Sequence, residues 1–284
     1  MHTFAYVRPR SLSEAFGLLD SHGSDAKVLA GGTDLVVGLQ HGRFHPEVVV
    51  DLKRIGDLPP GVRSEGDRLV IAAPTTLSEL VADPDVRRSF PALVEAAGMV
   101  GSTQIRNRAT LAGNVCNASP AGDTLPALLV YGAEVVLASR AGTRRTPLDR
   151  FLLGPGQTAL RSGELLVAIE LPVPEQPLGA RFLRLTRRRG VDLATVSVCC
   201  AVGSHTTRLG LGAVGPTAFA VSDSTGLLAD RTANDRERDA LLDRLVSAAS
   251  PISDVRGGRD YRRAMVSVLS RRALLAALAC RDEG

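Results

Sequence analysis

Apolar positions along the chain change their spacing several times, and each change marks an element. In SLSEAFGLLDSHG, residues 11–23, Ala15, Leu18 and Leu19 sit at helical spacing between a Ser11-x-x-Glu14 pattern and Gly23. That combination predicts a capped amphipathic helix with a glycine stop. The apolar run at 27–30 predicts a strand, followed by a Gly-Gly turn and a segment that starts a helix with Thr33 or Asp34 as its cap. VVVDL at 48–52 reads as a buried strand, and the alternation predicts a small α/β unit with parallel pairing over residues 1–57.

Beyond residue 57 the order changes. Residues 68–73 predict a strand and a helix starts at Thr76; FPALVEAAGMVG predicts a second helix that runs to Gly101. PALLVYGAEVVLAS reads as a helix that breaks at Gly132 and a strand at 133–138, and ELLVAIELP as a strand ending at Pro172. Residues 58–175 are thus expected to form a mixed α+β unit. Residues 178–202 predict two strands joined through an Arg-rich turn, and LGLGAVG at 209–215 a third; 221–235 reads as an exposed loop, and 235–249 and 260–280 show helical spacing. Residues 176–284 are expected to hold a three-stranded antiparallel sheet with a helical bundle, which makes the whole chain α+β.

Composition narrows the function classes. The 284 residues suffice for a sizeable core. No apolar run reaches the roughly 18 residues of a membrane span, and MHTFAYVRPR lacks the apolar stretch of a secretory signal, so the expectation is a cytoplasmic protein. Net charge is +4, but the only lysines are Lys27 and Lys53 and aromatics make up 4 % of the chain. Platforms for stacking bases are scarce, and nucleic acid is not an expected partner. Cys116, Cys199, Cys200 and Cys280 form no CxxC pair, so no zinc or iron–sulfur site is expected in this chain. Cys199 and Cys200, inside VSVCCAV, read as strand core. The histidines at 2, 22, 41, 45 and 205 make no catalytic or metal pattern.

The run TLAGNVCNASPAGDT, residues 110–124, is too poor in apolar mass to be explained by packing. Its small, turn-prone residues leave two readings open, a structured surface loop or a cradle that brings backbone close to a ligand. AGGTD at 30–34 and TLAGN at 110–114 each offer backbone N–H groups that suit an anion such as a phosphate. Neither is a GxGxxG fingerprint or a P-loop.

Taken together, LAGGTDLV at 29–36 and VGSTQIRNRATLAGNVCNASPAGDTLPALL at 100–129 resemble the FAD-binding medium subunit, or domain, of the molybdenum hydroxylases, the xanthine dehydrogenase and carbon monoxide dehydrogenase group. FAYVRP and SDVRGGRDYRR, at 253–263, also fit, so the resemblance spans essentially the whole chain. It implies a PCMH-type FAD-binding fold, with the two N-terminal units as FAD-binding subdomains. The residues Leu29, Ala30, Gly31, Gly32, Thr33, Asp34, Leu35 and Val36 would hold the FAD pyrophosphate through backbone N–H groups, with the Thr33 hydroxyl added. Thr110, Leu111, Ala112, Gly113 and Asn114 would close over it from the other side. Asp123 falls at a position that contacts the adenosine part, and Leu166 at an adenine-packing position. Arg184 stands where many relatives have a lysine near the isoalloxazine ring, and Val100 where some have an aromatic.

The resemblance implies an FAD-dependent oxidoreductase acting as electron-transfer subunit, without a catalytic acid or base or a metal of its own. Its partners would be a molybdenum-cofactor large subunit and a [2Fe–2S] small subunit, in a dimer of heterotrimers, with electrons leaving to NAD, oxygen or a quinone. A stand-alone FAD-dependent oxidoreductase acting directly on a small molecule is the alternative. Two departures stand out. Arginine at 184 keeps the charge but changes the hydrogen-bond geometry, and Ala112 replaces a glycine, which requires that residue 112 need no positive φ.

Overall fold

The computed structural model describes residues 2–283. The chain opens with β1 (Ala5–Val7), α1 (Leu12–His22), β2 (Ala26–Leu29), α2 (Leu35–Gln40) and β3 (Val48–Asp51), and the strands form a parallel sheet in the order β1-β3-β2. The helix at 11–23 forms as its sequence dictates. Ser11 Oγ accepts from the Glu14 N–H at 3.2 Å, Glu14 Oε2 accepts from the Arg10 N–H at 2.8 Å, and Ala15, Phe16 and Leu19 are buried. At α2 the expected side-chain cap is not made. Asp34 occupies the cap position in right-handed backbone, and neither its carboxylate nor the Thr33 hydroxyl bonds to the helix. Parallel pairing brings the C-terminal ends of β2 and β3 together, with Leu29 in register with Asp51.

The middle of the chain supplies β4 (Val62–Glu65), β5 (Arg68–Ala72), α3 (Leu77–Ala82), α4 (Pro84–Ser89), α5 (Pro91–Gly98), α6 (Thr103–Arg106), α7 (Leu111–Asn117), α8 (Thr124–Val130), β6 (Glu134–Ser139), β7 (Gly142–Pro147), α9 (Leu148–Phe151), β8 (Leu152–Gly154), β9 (Gln157–Thr158) and β10 (Leu165–Pro172). An antiparallel sheet runs β4-β5-β10-β6-β7. Its alternation sends Leu69, Ile71, Val135, Leu137, Ile169 and Leu171 into the core shared with α3, α5, α7 and α8. Val70, Val136 and Ala168 face the other way. That second face carries a charged network in which Arg68 and Arg145 both bond to Glu170. The second predicted helix ends at Gly98 rather than Gly101. The open question about 110–124 has a mixed answer, because Leu111–Asn117 is helix α7, capped by Thr110.

The last part corrects a strand count. β11 (Gly179–Leu185), β12 (Val196–Val202), β13 (Thr207–Gly212) and β14 (Phe219–Asp223) make a four-stranded antiparallel sheet where three strands were expected. β14 lies partly in the segment expected to be an exposed loop. It is a short edge strand that stays half-exposed along most of its length, so it lacks the continuous apolar run that announced its neighbours. On one face of the sheet lie α10 (Asp235–Val246) and α11 (Arg259–Glu283), and on the other α5 and α8. The vicinal cysteines follow the pleat. Cys199 enters the core shared with α5 and α8, Cys200 the core under α10 and α11, and both are fully buried. Gly210 permits the close docking of β13 on α8, since a Cβ there would lie 2.8 Å from the Pro126 carbonyl carbon.

Candidate functional site

The chain leaves β2 at Leu29 and turns through Ala30, Gly31 and Gly32 before α2 begins at Leu35. Gly32 has φ +83°, a left-handed conformation that favours glycine, and its carbonyl accepts from the Val36 N–H at 2.9 Å. The N–H groups of Gly31, Gly32, Thr33, Asp34 and Leu35 have no acceptor among the described residues. Lys53 Nζ holds the turn from behind, donating to the Ala30 carbonyl at 3.2 Å and to Asp51 Oδ1 at 2.6 Å. Burial would raise the Asp51 carboxyl, but hydrogen bonds from Lys53 and from the Tyr6 hydroxyl hold it below the usual carboxylate value.

Gly31 fixes where this turn sits. A Cβ there would lie 2.8 Å from the Arg108 carbonyl carbon and 2.9 Å from the Ala109 Cα, and closer still to the Arg108 carbonyl oxygen. The first turn therefore presses directly on the residues that lead into the second. Thr110 then caps α7, its Oγ1 accepting from the Gly113 N–H at 2.9 Å and its carbonyl from the Asn114 N–H at 3.0 Å. The Ala112 N–H is left without an acceptor among the described residues, while that of Leu111 turns toward Thr75. Ala112 lies inside the helix and needs no positive φ, which removes the difficulty that replacing a glycine raised. A bridge between Thr76 and Thr110, and the Leu77 N–H bond to the Ala109 carbonyl at 2.8 Å, pin the second turn to α3.

From there a polar chain continues inward. Asn114 Oδ1 accepts from the Thr124 hydroxyl at 2.6 Å, and the next residue back, Asp123, accepts from Arg184 Nη1 at 2.6 Å through Oδ2. Arg184 Nη1 also lies 3.5 Å from the Asp192 carbonyl. Only 11 % of the Arg184 side chain and 8 % of the Asp123 side chain reach solvent. Burial pushes the Asp123 carboxyl up to about 6, against the pull of Arg184. Three buried polar atoms on these segments lack a partner among the described residues: Asp123 Oδ1, Asp192 Oδ2, and the Oγ of Ser197, which stands in register across from Arg184. A buried carboxylate oxygen without a donor is costly, and a ligand hydroxyl or N–H relieves it.

Asp123, expected on the adenosine side, and Arg184, expected beside the isoalloxazine, are joined by a direct 2.6 Å bond. Leu166 is 5 % exposed, packed in the core across from Leu137, on the strand against which α7 packs. Val100, half-buried beyond α5, packs against the same core, and its carbonyl accepts from Arg106 Nη1 at 3.1 Å.

Sequence reasoning missed Lys53, Asp51, Arg108, Thr124, Asp192 and Ser197. Asp51 and Lys53 had a signal, because polar residues just past the end of a parallel strand lie where α/β sheets bind ligands. Arg108 acts through its main chain and had none. Two shallow grooves of about 450 and 510 Å³, which share Gln176, Pro177 and Ser204, open at the opposite end of the C-terminal sheet and include none of the site residues.

Two turns with free amides are pressed together in an α+β fold, a buried and incompletely satisfied ion pair is linked to the second of them through Asn114 and Thr124, and the comparisons name a cofactor. Residues 2–174 match the family model described as the FAD binding domain in molybdopterin dehydrogenase, and residues 181–277 match the CO dehydrogenase flavoprotein C-terminal domain. The carbon monoxide dehydrogenase medium chain of Hydrogenophaga pseudoflava is 35 % identical over 283 residues, covering 97 % of each chain. The putative xanthine dehydrogenase FAD-binding subunit of Escherichia coli is 29 % identical over 286 residues, covering 98 % of each. A solved structure of the Hydrogenophaga pseudoflava carbon monoxide dehydrogenase, in a form lacking the Mo-pyranopterin moiety, contains a chain that superposes with a TM-score of 0.90 at 33 % identity, covering 98 % of both. The chain belongs to the family of FAD-binding subunits of molybdopterin-dependent dehydrogenases, and its cofactor is FAD.

Proposed function

We propose that this chain is the electron-transfer flavoprotein subunit of a molybdenum hydroxylase, taking electrons from [2Fe–2S] clusters on a small partner and passing them to a terminal acceptor. A molybdenum-cofactor large subunit completes the enzyme, assembled as a dimer of heterotrimers in the cytoplasm. The observation that carries the reading is the contact of Gly31 with Arg108 and Ala109, which brings the free amides of both turns to one place.

The residues present fit FAD. The N–H groups of Gly31 to Leu35 and of Ala112 would hold the diphosphate oxygens, with the Thr33 hydroxyl beside them. Asp123 Oδ1 would accept from a cofactor hydroxyl or N–H, and Arg184 would keep a positive charge next to it. When bound, FAD supplies one- and two-electron redox chemistry. Among the described residues no group of three His, Cys, Asp or Glu could hold a metal ion, and the reading puts the molybdenum and iron–sulfur centres on partner chains. No helix among the described residues is long and apolar enough to cross a membrane. Four free cysteines suit the reducing cytoplasm. The division into 1–57, 58–175 and 176–284 gives each unit one of the three larger sheets.

The test is purification of the chain at its natural expression level followed by flavin and subunit analysis. The expected result is one FAD per chain, co-purification with a molybdenum subunit and a [2Fe–2S] subunit, and loss of FAD in Gly32→Val. A flavin-loaded chain that purifies alone and is reduced directly by a small substrate would overturn the subunit role. Full FAD retention in Gly32→Val would overturn the site.

A further inference from the structure

The SDVRGGRDYRR segment is absorbed by neither turn, yet its Arg262 is one of the few charged side chains sealed in the interior, at 3 % exposed. Nη1 donates to the carbonyls of Thr195 and Ala213, each at 2.8 Å, and Nη2 donates to Asp254 Oδ1 at 2.6 Å. The planar fork thus joins three separate segments, which a lysine's single ammonium would not do with the same geometry.

Both carbonyls belong to supports of the cofactor site. The Thr195 N–H donates to the Leu185 carbonyl at 2.8 Å, closing the loop that starts immediately after Arg184 and carries Asp192. Ala213 has φ +61°, a conformation that an alanine adopts only when its surroundings hold it there. Its N–H donates to the Pro120 carbonyl at 2.7 Å, three residues before Asp123. One guanidinium therefore grips the base of the Arg184 loop and the strand end that braces the Asp123 loop.

We propose that Arg262, oriented by Asp254, is a positioning residue for the flavin: it sets how the Arg184 and Asp123 segments face each other, and through them the charge presented to the cofactor. The proposal rests on the FAD site described above. Removing the guanidinium leaves two buried carbonyls without their donor, while Asp254 keeps only its bonds from Arg256, so the strained Ala213 turn relaxes and the Asp123–Arg184 pair loses its register.

The experiment uses the assembled enzyme carrying Arg262→Ala, Arg262→Lys, Asp254→Asn or, as comparison, Arg184→Leu. FAD dissociation constant, flavin midpoint potential and flavin visible spectrum are measured for each. Arg262→Ala is expected to weaken FAD about tenfold. It also shifts the potential and the spectrum, added guanidinium ion restores the spectrum, and Arg262→Lys recovers only part of the change. A variant with wild-type potential and spectrum and merely a lower Tm overturns the proposal. Should Arg262→Ala fail to fold, Asp254→Asn gives the same decision, because it loosens the fork while keeping its charge. A shift in Arg184→Leu without one in the Arg262 and Asp254 variants overturns the positioning role alone; no shift in any of them overturns the site reading as well.

Discussion

The Arg184 guanidinium donates to the Asp123 carboxylate at 2.6 Å in a position where about a tenth of either side chain meets solvent, and the second Asp123 oxygen has no partner. One pairing thus joins the loop after α7 to the C-terminal sheet at the heart of the site. Because burial outweighs Arg184 and pushes the Asp123 carboxyl up to about 6, folding favours its protonated form more than the unfolded chain does. The contribution of Asp123 to folding is fully present below the usual carboxylate value and is lost as pH rises through about 6. In FAD-free protein, urea unfolding at stepped pH should show wild-type stability falling relative to Asp123→Asn across that window. A difference that stays flat with pH would contradict the raised pKa.

Gly31→Ala should be more damaging than its size suggests. The added Cβ meets backbone of residues 108 and 109, which cannot swing aside as a side chain can. A loss of about 2–4 kcal/mol of stability is expected, together with loss of FAD retention. Gly98→Ala, at the end of α5 with open space around it, should leave stability unchanged or raise it by up to about 1 kcal/mol. Thermal unfolding of the two variants side by side checks the contrast.

Thr110→Ala removes the hydroxyl that caps α7 through the Gly113 N–H. The expected cost is about 1 kcal/mol, with weaker FAD binding because the amide of Ala112 loses its fixed orientation. Thr110→Ser should restore both, and FAD titration with urea unfolding of the pair would show whether the cap matters beyond stability.

Ala112→Gly should gain nothing. Residue 112 lies in right-handed helix, so glycine there adds conformational freedom to the unfolded chain and costs about 0.5–1 kcal/mol. Tighter FAD binding in this variant would show that the turn prefers a conformation alanine resists.

Much of the scaffold is legible in local pattern. The Ser11 cap, the helix start at Thr76, the parallel strands around residues 27–30 and 48–52, the buried strand VSVCCAV and the long C-terminal helix all follow from spacing and capping chemistry, and all form. The two glycine turns are legible as anion-suited backbone. β14 and the short helices α6 and α7 are not, because half-exposed edge strands and helices of one or two turns carry too few apolar residues to set a period.

What the sequence by itself determined is the identity of the pieces: which segments turn, which bury, and which expose amides, since those properties depend on side chains a few residues apart. What only the tertiary structure decided is which pieces meet. Gly31 against Arg108, Asp123 with Arg184, and Arg262 across Thr195 and Ala213 join residues separated by 77, 61, 67 and 49 positions. No local rule carries those distances. They are set by how the sheets and helices pack against one another, which brings the two turns together and joins Asp123 to Arg184 in a buried pair.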